Sequence, residues 1–248
     1  MCGRLDQNEP ARSQAMMFGW TEAVFDSAAE PRSNAAPGTY RPVLHIADGI
    51  KRVDDLFWGY RPAWAAMPAP GRKKIPIAIN ARLDKLAGSY WKPLLRAGRG
   101  VICVSGWYEW TGEKGARQPW HIHRKDGAPL WLLVLANFGP FKHSREESGF
   151  VLITADSLGG MLDIHDRRPI AVSRADAERW LAPGLDWEQA LHLARTCMQD
   201  ASLFEWHPAD NLPHLAQAPG MSAPSAPSAP STQASLWMDD SDSRNEGN

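Results

Sequence analysis

Cysteine is scarce. Three residues in 248, an odd number, are too few for a disulfide framework, so the thiols are expected to be reduced. No apolar run approaches the roughly 18 residues that a membrane span needs, and the opening MCGRLDQNEPARS has no apolar core of a signal peptide. A cytoplasmic protein without a membrane partner is therefore expected. Net charge is also lacking, because 27 Lys plus Arg face 28 Asp plus Glu. Asp239, Asp240, Asp242 and Glu246 against Arg244 leave the last eleven residues at −3 and the preceding chain at +2. A body so mildly basic does not announce nucleic-acid binding, yet it leaves room for a local basic groove. Tyrosine is rare at four residues while tryptophan reaches twelve, and Trp suits both cores and surfaces that stack on bases.

From about residue 216 the composition changes. SAPSAPSAPS at Ser222–Ser231 is a three-residue repeat with no large apolar side chain, which cannot bury enough surface to order itself. The expected organisation is one domain over residues 1–215 followed by a disordered tail over 216–248. Within the domain, Asp48-Gly49 and Asp126-Gly127 each separate two β-rich runs and predict hairpins. Further strands are expected at Ile75–Asn80, Val101–Val104, Gly149–Ala155 and Arg168–Ser173. Ser173 with Asp176, and Asp186 with Gln189, predict two capped helices. An early helix over Asn8–Phe18 and one inside Leu83–Leu95, interrupted near Pro93, complete the reading. Strands grouped apart from helices imply an α+β fold with a curved, barrel-like antiparallel sheet and peripheral helices.

Cys2 leads the candidate chemistry. Removal of Met1 would leave a 1,2-aminothiol, whose α-amine has an ordinary pKa of about 7.7–8.0 and is partly neutral at cellular pH. Such a pair can condense with an aldehyde: the amine gives a Schiff base and the thiol closes a five-membered thiazolidine. The alternative is an inert, frayed terminus. In IPIAINAR, Asn80 and Arg82 alternate with the isoleucines and make either a polar, anion-tolerant strand face or a solvated edge. Glu109 in GWYEW shares a strand face with Trp107, where aromatic neighbours would raise its pKa and suit it to proton transfer; the alternative is a surface glutamate. His165 lies near Asp163 and Asp166 and is either an acid-base group or a satisfied loop histidine. Cys103 and Cys197 have the settings of packing cysteines. His121 and His123 share a strand face but lack a third ligand at a diagnostic spacing, so no metal is expected.

Eight stretches together carry a resemblance: MCGR at Met1–Arg4, NAAPGT at Asn34–Thr39, FWGYRPAW at Phe57–Trp64, INAR at Ile79–Arg82, GWYEW at Gly106–Trp110, QPWHI at Gln118–Ile122, ITA at Ile153–Ala155 and IHDRRP at Ile164–Pro169. Over about residues 2–210 the chain resembles the SRAP family, the SOS response-associated peptidase domain. The resemblance implies an enzyme that senses abasic sites in single-stranded DNA and cross-links itself to them in the DNA-damage response, as a monomer without a cofactor. It implies Cys2 as the residue that attacks the sugar aldehyde, Asn80 as its orienting group, Glu109 as the proton shuttle and His165 as the aid to sugar ring opening and reversal. It also implies a DNA surface of Arg4, Pro37, Gly38, Trp64, Arg82, Trp110, Thr154 and Arg167. Two other classes stay open: a peptide hydrolase with an N-terminal cysteine nucleophile, and a noncatalytic single-strand binder recruited by its tail.

Departures from the family pattern are local. Ala65 stands where a second Trp can follow Trp64, and the stretch from Ala65 to Pro76 is expanded. Arg72, Lys73 and Lys74 within it are either further phosphate contacts or a solvated loop. In the tail, QASLW at Gln233–Trp237 resembles the Gln-x-x-Leu-aromatic peptide that docks into the bacterial sliding clamp, with Leu236 and Trp237 as anchors and Gln233 as polar latch.

Overall fold

The computed structural model describes residues 2–66, 75–113, 116–138 and 145–209. They form two open sheets and a helical layer. The five-stranded sheet runs in the order β14 (Phe204–Pro208), β9 (Gln118–Arg124), β8 (Gly106–Thr111), β1 (Leu5–Gln7), β3 (Arg32–Ala35), all antiparallel. The nine-stranded sheet runs β12 (Arg167–Pro169), β11 (Phe150–Asp156), β10 (Leu130–Ala136), β7 (Arg99–Val104), β4 (Tyr40–Ala47), β5 (Ile50–Phe57), β2 (Val24–Asp26). Off this path, β13 (Ala171–Val172) pairs with β10, and β6 (Asn80–Arg82) pairs in parallel with β11. The helices are α1 (Ala11–Met17), α2 (Ala63–Ala66), α3 (Lys92–Ala97), α4 (Arg174–Leu181) and α5 (Trp187–Thr196).

The nine-stranded sheet is the middle layer, and its sequence shows it. Along β10 every residue of LWLLVLA is buried, because both faces are covered. Trp131, Leu133 and Leu135 join the cluster that includes Trp180 of α4 and Leu191 of α5. Leu130, Leu132 and Val134 join Trp107 and Ile122 of the five-stranded sheet. β7 divides the same way, with Val101 and Cys103 toward the helices and Ile102 and Val104 toward the other sheet. Cys2 belongs to this second cluster, between the sheets.

The predicted α+β class is observed, and several details differ from expectation. The sheets are open rather than closed into a barrel, and two pairings, β2 with β5 and β6 with β11, are parallel. Asp48-Gly49 makes the expected hairpin of β4 and β5, both residues having positive φ. Asp126-Gly127 does not: β9 pairs with β8 and β14 while β10 pairs with β7 and β11, so the turn carries the chain from one sheet to the other. The expected strand over 75–80 is displaced to Asn80–Arg82, and that over 168–173 is split at Ile170. Pro93 lies in the first turn of α3, where its missing N–H costs nothing, so it begins a helix instead of breaking one. α4 and α5 start at their predicted caps: Ser173 Oγ accepts the Asp176 N–H, and Asp186 and Gln189 form a capping box.

Candidate functional site at the junction of the two sheets

Cys2 is fully buried, three residues ahead of β1. Its carbonyl accepts a 3.0 Å hydrogen bond from Asn80 Nδ2, and its Sγ lies 3.9 Å from the Arg4 carbonyl oxygen. Asn80 is delivered there by the parallel pairing of β6 with β11, in which Asn80 stands opposite Leu152. The preceding residue is fastened twice, because the Ile79 carbonyl accepts from the Trp58 indole N–H at 3.0 Å and from the Leu152 N–H at 3.2 Å. Asn80 Oδ1 is buried and has no hydrogen-bond partner among the described residues, so the amide keeps an acceptor in reserve.

Burial sets the electrostatics. It pushes the Cys2 thiol well above its ordinary value, and the Glu109 carboxylate pushes it the same way. Glu109 projects from β8 on the face it shares with Trp107 and is only 4% exposed. Burial raises its carboxyl to about 7, against a lowering by the amino terminus. Such a group exchanges a proton readily at neutral pH. His165 follows the 3₁₀ turn Gly159–Asp163 and lines one small pocket with Glu109, Trp107, Met161 and Arg167. Its Nδ1 accepts the Arg167 N–H at 3.0 Å and lies 2.7 Å from an Asp166 carboxylate oxygen. Burial pulls the imidazole below its ordinary value, and Asp166 opposes that pull.

The proposed DNA-contacting residues occupy varied settings. Arg82 is exposed and makes a two-pronged contact with Asp84 at 2.9 and 3.0 Å. Arg167 is mostly buried, 3.8 Å from the same Asp84 and 3.3 Å from Asp156. These carboxylates hold two guanidinium groups beside the pocket. Thr154 stands opposite Arg82 in the β6–β11 register but is fully buried, so it backs the surface without forming it. Trp64 is 62% exposed with its ring edge-on to Tyr90. Trp110 and Pro37 are half-buried, and Arg4 is half-buried with its guanidinium pKa lowered by burial. Gly38 is exposed at φ +86° with open space on its Cβ side, so a substrate backbone could approach closely there. Arg72, Lys73 and Lys74, and the tail residues Gln233, Leu236 and Trp237, lie outside the described residues.

Two contributors escape a reading of the sequence, Trp58 and Asp84. The signal for Trp58 was its place in a buried run, since an indole N–H inside a core needs an acceptor. Asp84 was legible only as the carboxylate two residues beyond Arg82. Cys103 is buried as expected, and Cys197 is half-buried with its thiol pushed up to about 11 by burial. Among the described residues no helix is long and apolar enough to cross a membrane.

Comparison with known proteins agrees along nearly the whole described chain. The profile of the family described as SOS response associated peptidase (SRAP) matches residues 1–212. The abasic site processing protein YedK of Escherichia coli is 34% identical over 212 residues, which are 84% of this chain and 91% of that one. The abasic site processing protein HMCES of Gallus gallus is 29% identical over 181 residues, covering 61% of this chain and 54% of its own length. Among solved structures, a phage-related protein of Bordetella bronchiseptica superposes with a TM-score of 0.70 at 31% identity, covering 85% of this chain and 95% of that one. A protein of Bacteroides thetaiotaomicron shares the fold, with a TM-score of 0.68 at 19% identity over 85% of this chain and 93% of its own. Sequence and fold thus converge from end to end of the two-sheet body, and the chain belongs to the SRAP family.

Proposed function

We propose that this protein senses abasic sites in single-stranded DNA and traps them covalently through Cys2, once Met1 has been removed. The observation that carries the reading is the Asn80 hydrogen bond to the Cys2 carbonyl, which fixes the residue beside a buried carboxyl of near-neutral pKa. The relatives named abasic site processing proteins supply the substrate class.

The chemistry follows from the groups present. An abasic sugar is mostly a closed hemiacetal. His165 protonates the ring oxygen as the anomeric hydroxyl loses its proton, which opens the ring to a C1′ aldehyde. The Cys2 amine adds to that carbon, giving a carbinolamine. Glu109 protonates the departing hydroxyl, water leaves, and a protonated imine remains. The thiol then adds to the imine carbon, its proton passes to the Glu109 carboxylate, and the nitrogen ends as a secondary amine within a thiazolidine. One water is released overall, and readdition of water reverses the linkage. Closure of the ring removes the imine that would otherwise promote β-elimination, so the strand is shielded.

The raised pKa of the thiol supports this order of events. A thiolate nucleophile of the cysteine-hydrolase kind depends on a lowered pKa, whereas here burial favours the neutral thiol and leaves the first attack to the amine. Arg4, Arg82 and Arg167 would hold flanking phosphates, with Arg72, Lys73 and Lys74 as further cationic contacts. Pro37, Gly38, Trp64 and Trp110 would pack on sugars and bases, and Thr154 would back the strand that carries Arg82. Gln233, Leu236 and Trp237 would dock in the sliding clamp, the Ser-Ala-Pro spacer acting as a tether that raises local concentration.

Incubation with uracil-containing single-stranded DNA and uracil-DNA glycosylase, followed by denaturing electrophoresis, tests the central reading. A shifted band with the wild type that vanishes in Cys2→Ala is expected. No shift with the wild type, or an undiminished shift in Cys2→Ala, overturns it. For the tail, equal clamp capture by the wild type and by the Leu236→Ala, Trp237→Ala double variant removes the clamp from the proposal.

A further inference from the structure

The second face of the five-stranded sheet carries a set of ligands that no part of the proposed reaction uses. Strand alternation sends Trp107 and Glu109 inward and Gly106 and Tyr108 outward. In register, Tyr108 stands opposite His121, His121 opposite His207, Gly106 opposite His123, and Asp6 opposite Gly106. Three histidines and an aspartate thus share the outward face. One ligand nitrogen from each of His121, His123 and His207 can be chosen so that all lie within 4.8 Å of one another.

The immediate surroundings suit a bound cation. His123 Nε2 and His207 Nδ1 are 3.2 Å apart, and Asp6 Oδ2 is 3.2 Å from His121 Nε2. A tetrahedral ion with ligands at about 2.0–2.1 Å separates its donors by about 3.3 Å, so the three nitrogens, within 4.8 Å of one another, would have to close by up to about 1.5 Å on binding. Asp6 is 6% exposed, and its Oδ1 has no hydrogen-bond partner among the described residues. His121 Nε2 is likewise buried without a hydrogen bond, although the Asp6 carboxylate is beside it. A buried carboxylate and imidazole facing each other without a well-formed hydrogen bond are costly as they stand. A shared cation would satisfy both. Gly106 makes the room, because a Cβ there would collide with the His121 ring and the Ile122 carbonyl oxygen. Tyr108 stacks on His121 with ring centroids 4.8 Å apart and restricts its rotation.

We propose that His121, His123 and His207 form a structural site for a divalent transition-metal ion of the zinc class, with the Asp6 carboxylate, now 3.2 Å from His121 Nε2, drawn in as the fourth ligand. Three imidazoles and one carboxylate suit Zn²⁺ and fill a tetrahedral shell, leaving no open position for substrate. The ion would clamp β14 and β9 to β1, the strand that leads directly from Cys2. The third histidine comes from β14, 84 residues from His123, a separation at which no sequence spacing reveals it.

The test uses the full chain, stripped with a chelator and titrated with Co²⁺ and then Zn²⁺. Expected are one equivalent of Co²⁺ per chain with the visible absorption of a tetrahedral site, displacement by Zn²⁺, and a melting temperature raised by about 5–10 °C at a hundredfold excess over Kd. His207→Ala, at an exposed position, should abolish the cobalt spectrum and the thermal shift while keeping the folded circular dichroism, and His123→Gln should do the same. Cys2→Ala should keep both signals. Absence of stoichiometric binding overturns the proposal, as does binding that survives His207→Ala and His123→Gln or is lost in Cys2→Ala. Cross-linking to abasic DNA by His207→Ala should match the wild type, so failure of the metal site and failure of the proposed reaction are read separately.

Discussion

The two faces of β8 and β9 hold opposite kinds of chemistry one residue apart. On the inward face Glu109 is a single carboxyl among Trp107, Ile122 and Trp120, and desolvation dominates it. On the outward face Tyr108, His121, His123 and His207 gather against Asp6, and polar groups meet polar groups. One strand therefore supplies a desolvated acid on one side and a ligand cluster on the other. Desolvation raises a pKa, whereas a cluster of imidazoles offers a set of ligands.

The sharpest break between the faces removes the inward chemistry. Cys2→Ala should eliminate cross-linking altogether while leaving metal binding unchanged, measured by denaturing electrophoresis and cobalt titration. Glu109→Gln should slow cross-linking by about a hundredfold or more. Loss of the carboxyl should also remove from the pH–rate profile the inflection near 7 that titration of Glu109 is expected to give. The same change should stabilise the fold. A carboxyl raised from 4.5 to about 7 binds more protons in the folded than in the unfolded chain between those values, so native stability falls as pH rises through that window and stays lowered above it. Denaturant melts should then show Glu109→Gln more stable than the wild type by up to about 3 kcal/mol at pH 8, and by much less at pH 5.

Smaller effects sharpen the comparison from the outward side. Gly106→Ala should cost about 1–3 kcal/mol by forcing the His121 ring and the β9 backbone apart, and should weaken cobalt binding with it. Arg82→Ala, away from both faces, should weaken binding to single-stranded DNA uniformly across sequences and lower the salt slope by about 1.

Local signals were the legible ones. The caps at Ser173 and Asp186, the Asp48-Gly49 turn and the alternation that paired Glu109 with Trp107 all act over a few residues, and each appears as read. Asp126-Gly127 misled because its turn chemistry resembles a hairpin while its flanks differ in kind. PWHIHR is half-buried and LWLLVLA buried on both sides, and strands of such unequal burial belong in different layers. Asn80 and Arg82 were legible as a polar strand face, but not that a parallel partner from β11 would set Asn80 beside Cys2. The His207 contact was hidden for the same reason: strand pairing between distant segments depends on the whole sheet, and no local pattern announces it.

The enclosure of Cys2 has a bearing on biosynthesis. Cys2 is translated well ahead of its enclosure, because Asn80, Glu109 and the buried Leu152 of the same core cluster follow it by up to 150 residues of elongation. At about 5–20 residues per second the thiol stands uncovered for some ten to thirty seconds on every nascent chain. During that interval any small aldehyde in the cell can reach it, so carbonyl stress would consume newly made molecules before it touched mature ones.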